Sequence, residues 1–338
     1  MHTVIDALVV TGHLPSQADA FAPTLEDLRA LEDVLRHVVG RVTAGAISAR
    51  HATTLVARLP VILERTGIDP APLRELVAEV DELRQHGAEG GMPKDVRRLC
   101  RALIERRSFR NRFLLAHAPA RRVAQALLDR ARAEGCPLTP AERGAVIRHG
   151  AVALFCAIEI GGAPVRVENV LEMSYGTGEA WLRPKGQGFA VNIPGHFVKN
   201  GKPIEFEMKP DAHRFCDTVH WYLAQVRPLI LTDPRTEEER ASPWLLPMLS
   251  DASRPCPYET FLMWFTRIMR DEVKVPCTPH NFRHGQASLL YHRHPDRIGW
   301  IARRLGDKDD TVLRYYAWVH NDLVMAEGQR LIAGLIQS

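Results

Sequence analysis

Three groups of residues near the C-terminus have types and spacing suited to chemistry: Thr278-Pro279-His280-Asn281-Phe282-Arg283-His284, then Leu305-Gly306-Asp307, then Tyr315-Tyr316. Thr278 is a favourable N-cap and Pro279 suits the first helical position, so the first group reads as a helix start. His280 and Arg283 then lie at i and i+3 and share a face one turn into the helix. A helix N-terminus attracts anions, and a guanidinium beside an imidazole strengthens that attraction. Leu305-Gly306 reads as a helix stop. Asp309 or Asp310 recaps, and Thr311 to Val319 reads as a short helix carrying both tyrosines. A lone His/Arg pair at this spacing is more often a solvated surface pair. The ordered set of three groups is what sets this one apart.

The set H-x-[LF]-R-H, then L-G-x, then a Tyr nine positions after that x, resembles the C-terminal signature of the tyrosine recombinase (phage integrase) family of site-specific recombinases. The resemblance implies that Tyr316, not Tyr315, is the motif tyrosine. Further upstream, Arg166 and the stretch from Glu168 to Met173 are similar to the G-x-R-x-x-E-[IL]-x-x-L segment that holds the family's first catalytic Arg. Pro164 stands where the family has Gly, and the acidic position is shifted by one. The family also places a catalytic Lys in a β-hairpin. In Val198-Lys199-Asn200-Gly201-Lys202 that implies Lys199, with Lys202 the runner-up. Two further positions depart from the pattern. Asp307 stands where the family has His or, less often, Trp. Trp318 stands two residues after Tyr316, where His is common, with His284 and His320 as nearby substitutes. Three consequences of Asp307 stay open: slower cleavage, a rotated carboxylate that orients Arg283 or His280, or a DNA binder that no longer cuts.

The resemblance also implies a division of labour. Tyr316 is the nucleophile; a phenol with an ordinary pKa of about 10 needs activation. Arg166 and Arg283 clamp the non-bridging oxygens with forked hydrogen bonds. Losing one such preorganised donor would cost about 3–4 kcal/mol of barrier. His280 takes or holds the tyrosine proton, and Lys199 protonates the leaving 5′ oxygen. The set needs no metal and no cofactor, and the covalent 3′-phosphotyrosine conserves bond energy. The expected activity is metal-independent DNA strand transfer, as in integration, excision or resolution. Its partner is double-stranded DNA, with a tetramer assembled on it. The alternatives are a type IB topoisomerase-like relaxing enzyme and a weak or inactive DNA-binding protein of the same fold.

The elements that must position these residues divide in two. At 338 residues the chain suits two domains, and its 46% hydrophobic and 25% charged composition is that of an ordinary globular protein. A net charge of +4 is compatible with nucleic acid but does not argue for it. None of the six cysteines forms a C-x-x-C pair, so reduced thiols are expected rather than disulfides or zinc. There is no basic leader and no evident bilayer-spanning apolar run, which predicts a cytoplasmic protein without a membrane partner.

Residues 1–134 read as a helical core-DNA-binding domain and 135–338 as the catalytic domain, giving a mainly α protein with a small β-hairpin or sheet (α+β). Expected N-terminal helices start at Thr24, run from Ser48 to about Thr66 with a kink or split at Pro60, and cover Pro70 to Gln85; a loop follows from Gly87 to Lys94. Asp95 to Arg112 reads as a helix loaded with Arg97, Arg98, Arg101, Arg106, Arg107, Arg110 and Arg112, opposed only by Asp95 and Glu105. That is a solvated basic face or a phosphate-contacting one, and the shortage of acids favours the second. In the catalytic part, Thr139-Pro140-Ala141-Glu142 is a capping box opening a helix that ends at Gly161-Gly162. Short strands are expected around Ala180 to Leu182, Phe189 to Ile193 and Ile204 to Met208, with Asn200-Gly201 turning a hairpin. Further helices are expected over Pro210 to Leu229, Tyr258 to Val273, His280 to Tyr291, Ile298 to Leu305 and Leu323 to Ile336, with a polar loop over Thr232 to Arg240.

Overall fold

Local capping chemistry decides where the helices after Asp27, Ser48, Thr139, Thr236 and Thr278 begin. In the computed structural model, which describes residues 7–14, 27–57, 59–65, 67–80, 92–198, 200–232 and 235–336, the chain divides into two compact units, Met1–Gly91 and Met92–Ser338. The protein is mainly helical with one small antiparallel sheet.

In the first unit, α1 (Leu28–Thr43) is capped by Asp27, whose carboxylate accepts from the Arg29 N–H at 2.9 Å. The expected cap, Thr24, lies outside the described residues. Ser48 caps α2 (Ala49–Val56). The expected split falls before Pro60, which then occupies the first turn of α3 (Leu59–Arg65), where its missing N–H costs nothing. Then comes α4 (Ala71–Glu79). Leu31, Val34, Leu35, Val38, Val56, Leu59, Leu63 and Leu73 form this unit's own core.

The second unit begins with α5 (Lys94–Glu105), α6 (Arg107–Leu114), α7 (His117–Glu134), α8 (Pro140–Gly161) and α9 (Val167–Leu171). The predicted arginine helix is two helices, broken at Arg106, whose ψ of 100° is extended. The compact units divide at Gly91/Met92 rather than at 134/135. The reason is packing: Ala116, Ala120 and Ala124 let α7 lie close along α8, and they share one core with Val146, Ala151 and Phe155. The capping box forms as read, with the Thr139 N–H donating to Glu142 Oε2 at 3.0 Å. By length and composition α8 could cross a membrane, contrary to expectation, but most of it is buried inside this unit as its core helix.

Strands β1 (Leu182–Lys185), β2 (Gly188–Ile193) and β3 (Ile204–Met208) pair antiparallel in the order 1-2-3, with Leu182 opposite Val191 and Ile193 opposite Ile204. The β2–β3 connection is residues 194–203 and includes a 3₁₀ turn at Gly195–Phe197; Gly201 supplies a left-handed φ of 72°. Beyond it, α10 (Phe215–Trp221) widens into a π turn at Tyr222–Val226 before α11 (Arg227–Leu231). Pro228 cannot donate to the preceding turn, which suits the widening there. A one-turn helix, α12 (Glu237–Arg240), replaces the expected loop; Thr236 and Glu239 make a second capping box.

The last four helices carry the C-terminal groups. They are α13 (Tyr258–Ile268), α14 (Pro279–Arg293), α15 (Ile298–Leu305) and α16 (Asp309–Ile336). The last is continuous where two separate helical stretches were expected. Phe282 on α14 sits among Phe113, Phe155 and Phe265 with ring centroids 4.4–6.2 Å apart. This buried anchor fixes the rotation of α14. A second cluster of Val96, Cys100, Ala287, Ile301, Leu305, Val312 and Tyr316 joins α5, α14, α15 and α16.

Candidate functional site

At the start of α14, the Thr278 hydroxyl accepts from the Asn281 N–H at 3.2 Å and Pro279 takes the first position, as the sequence predicts. With Phe282 locked in the aromatic core, His280, Arg283 and His284 turn toward one cavity of about 270 Å³. Arg166, Asp307, Tyr315 and Tyr316 line the same cavity.

Arg283 is buried and donates three hydrogen bonds. Its Nη1 donates to the Pro164 carbonyl, and its Nη2 donates to the Leu305 carbonyl at 2.6 Å and to Asp307 Oδ2 at 2.6 Å. Arg166 precedes α9 and is half-buried. Its Nη2 donates to Asp307 Oδ1 at 3.1 Å, so its partner is not Glu168 or Glu172, the surface partners its sequence position suggests. One carboxylate therefore bridges two guanidiniums, an oxygen to each. Asp307 is thus turned onto Arg283 and Arg166. Gly306 makes this possible. It ends α15 with φ +60°, and an added Cβ would stand 2.6 Å from Ile204 Cδ1.

Tyr316 projects from α16 into this site and is only 4% exposed. Its hydroxyl bonds His284 Nδ1 at 2.7 Å, not His280. His284 Nε2 in turn lies 3.0 Å from His280 Nε2, with the rings edge-on. Phenol and His284 are buried, whereas His280 is exposed. Burial pushes the Tyr316 hydroxyl well above its ordinary pKa, and the Arg283 charge opposes that shift. Burial, with the neighbouring His280 and Arg283, pulls His284 down to about 3. Tyr315, half-exposed, lines the cavity with Arg314 5.2 Å above its ring.

Lys199 lies outside the described residues. The chain before it borders Arg166: His196, Phe197 and Val198 share a separate, more open hollow with Arg166, and Asn169 Nδ2 donates to the Phe197 carbonyl at 3.1 Å. Lys202 is exposed and lines a different hollow with Trp300, Arg303 and Arg304, so it is not brought into the cavity of His280 and Arg283.

The arginine-rich segment is mixed in role. Arg97, Arg98, Arg101, Arg106, Arg107 and Arg112 are exposed. Arg98 pairs with Asp95 at 2.7 Å. Arg97 and Arg101 stand 5.5 and 5.9 Å over the Trp318 ring, tying α5 to α16. Arg110 is half-buried and donates to the Ile104 carbonyl at 2.9 Å, which satisfies the end of α5. It is a structural residue rather than part of an open basic face.

Two participants were given no catalytic role by the sequence: His284, which closes the H-x-[LF]-R-H motif, and Glu159. His284 was legible only as a substitute imidazole, although its place one turn after His280 is the signal for contact. Glu159 is an acid within the apolar α8 pattern. It is fully buried behind Arg283, accepts from Gln286 Nε2 at 3.1 Å, and is held well above the carboxylate range by that burial. Among the described residues no three of His, Cys, Asp and Glu gather into a metal site. Comparison with protein families, with curated proteins and with solved structures finds no match to this chain.

Proposed function

We propose that this protein cuts and rejoins double-stranded DNA through a covalent 3′-phosphotyrosine at Tyr316, as a metal-independent strand transferase of the tyrosine recombinase type. The observation that carries the reading is the bridging Asp307. A carboxylate offers two oxygens and one negative charge, and so do the non-bridging oxygens of a phosphodiester. Two guanidiniums that meet on the carboxylate are spaced to meet on the phosphate. The phenol of Tyr316 opens on the same cavity.

In this mechanism the scissile phosphate displaces Asp307 from Arg166 and Arg283, which then neutralise the developing charge on the equatorial oxygens. Tyr316 gives up its proton to the imidazoles and attacks phosphorus. The 5′ oxygen leaves with a proton from the β2–β3 connection, where Lys199 is the assigned donor. The exposed arginines of α5 and α6 hold the flanking backbone with salt-dependent, sequence-neutral affinity. The helical first unit and a tetrameric assembly on DNA complete the reading, which implies action in the cytoplasm.

The test is a nicked duplex that releases its short product strand and traps the intermediate. Wild type should give a covalent protein–DNA band on a denaturing gel, Tyr315→Phe should keep it, and Tyr316→Phe should lose it. A band that survives Tyr316→Phe moves the nucleophile elsewhere. A second reading, a DNA binder that does not cut, is favoured by the same carboxylate, because Asp307 already occupies the clamp. Salt-dependent DNA binding without any covalent band would establish it. Sequence-neutral relaxation of supercoiled DNA would point instead to a topoisomerase-like role.

A further inference from the structure

Resting on that strand-transfer reading, we propose that His284 is a catalytic proton relay, taking the Tyr316 proton on Nδ1 while passing its own Nε2 proton to His280.

The contacts admit one fully bonded proton order. The buried phenol hydrogen has His284 Nδ1 as its acceptor at 2.7 Å. Were Nδ1 protonated, the phenol oxygen would accept and its own hydrogen would be stranded in the interior, at a cost of about 1–3 kcal/mol. With Nδ1 unprotonated, neutral His284 carries its hydrogen on Nε2, which faces His280 Nε2 at 3.0 Å. Two nitrogens at that distance bind only if one hydrogen lies between them, so His280 Nε2 is bare and its Nδ1 is protonated. The wire runs from a 4%-exposed phenol through an 8%-exposed imidazole to an exposed one. Groups acting on it are Arg166, Glu168, Arg283 and Asp307 around His280, with Cys100 and Tyr315 beside the phenol.

The step balances. As the phenol oxygen bonds to phosphorus and the bond from phosphorus to the 5′ oxygen breaks, the phenol proton moves to Nδ1 and the Nε2 proton moves to His280. His284 ends neutral in its other tautomer and His280 ends as an imidazolium beside the phosphate. The 5′ oxygen takes its proton from a separate donor. Rejoining runs the same transfers backwards. His284 stores no proton, in keeping with a burial that pulls its pKa down to about 3.

Two measurements test this. The first is the rate of covalent adduct formation on a nicked duplex with a 5′-bridging sulfur, whose thiolate leaves without needing a proton. Wild type should level off between about pH 7 and 9. His284→Asn keeps an acceptor for the phenol but cannot pass a proton; it should be at least roughly 100-fold slower near neutrality and climb about tenfold per pH unit. His284→Ala should behave alike. Variants slowed by the same factor at every pH would make His284 a packing residue and overturn the relay, while the Tyr316-dependent adduct would still stand. A wild type with no adduct removes both readings together. The second is ¹⁵N NMR of the wild-type protein free of DNA, which does not depend on cleavage or on any variant folding. It should show His284 protonated on Nε2; protonation on Nδ1 overturns the relay.

Discussion

Asp307 has opposite effects on folding and on ligand binding. It gives Arg283 its only carboxylate partner among the bonds described, the other two being carbonyls, so its loss weakens the fold by about 1–3 kcal/mol. It also competes for both guanidiniums with any incoming phosphate. Asp307→Asn should therefore lower the melting temperature yet tighten DNA binding by about tenfold, with a salt dependence steeper by roughly one phosphate contact. Fluorescence anisotropy across a salt series checks this. Should affinity fall in step with stability, the carboxylate positions the clamp rather than blocking it. Glu159 gives the pH counterpart. Its folded pKa is raised above the unfolded value of 4.5, so the stability its protonated form contributes is complete below 4.5 and is lost as pH rises toward the folded value. Glu159→Gln keeps the bond to Gln286 and cannot ionise when unfolded. It should be close to neutral at pH 4 and increasingly stabilising toward pH 8, as read by thermal melts. A difference that does not change with pH would place the folded pKa of Glu159 in the ordinary range.

The arginine helices separate by role at the element scale. Arg98, Arg106 and Arg107 are exposed, so each change to Ala should weaken DNA binding evenly across sequences and reduce the salt slope by about one. Arg110→Ala should instead cost about 1 kcal/mol of stability, because the carbonyls ending α5 lose their donor. Equal effects on binding from all four would mean that Arg110 leaves its helix cap to contact DNA. What was legible at this scale was local. The Thr139 capping box, the Thr278-Pro279 start and the Gly306 stop are settled by bonds within a turn, and all three form as read. What was not legible depends on distant partners. The break at Arg106 lets α5 and α6 pack separately. Likewise the candidate site was legible as a set of residue types, Arg166, His280, Arg283 and Tyr316. The pairing of Tyr316 with His284, and of Asp307 with two arginines 141 and 24 residues away in sequence, comes only from folding.

At the scale of the whole molecule the division at Gly91/Met92 has a direct consequence. Each unit has its own buried core, and no residue of the first core appears in either cluster of the second. The cavity, the exposed arginines of α5 and α6, and the stack of Arg97 and Arg101 on Trp318 all belong to residues 92–338. A boundary at 134/135 would instead cut α5 from α14 and α16, exposing Cys100, Ala287 and Tyr316 to water. A protein of residues 92–338 should therefore melt cooperatively and form the Tyr316-dependent covalent adduct on a nicked duplex, whereas residues 135–338 should be insoluble or molten. The longer fragment should bind DNA more weakly than the full chain, with a shallower salt slope, if the helical first unit adds its own phosphate contacts. A 92–338 fragment that fails to melt cooperatively would show that the first unit is needed to complete the second. One that melts normally but matches the full chain in affinity would take residues 1–91 out of DNA binding, leaving the cavity reading intact.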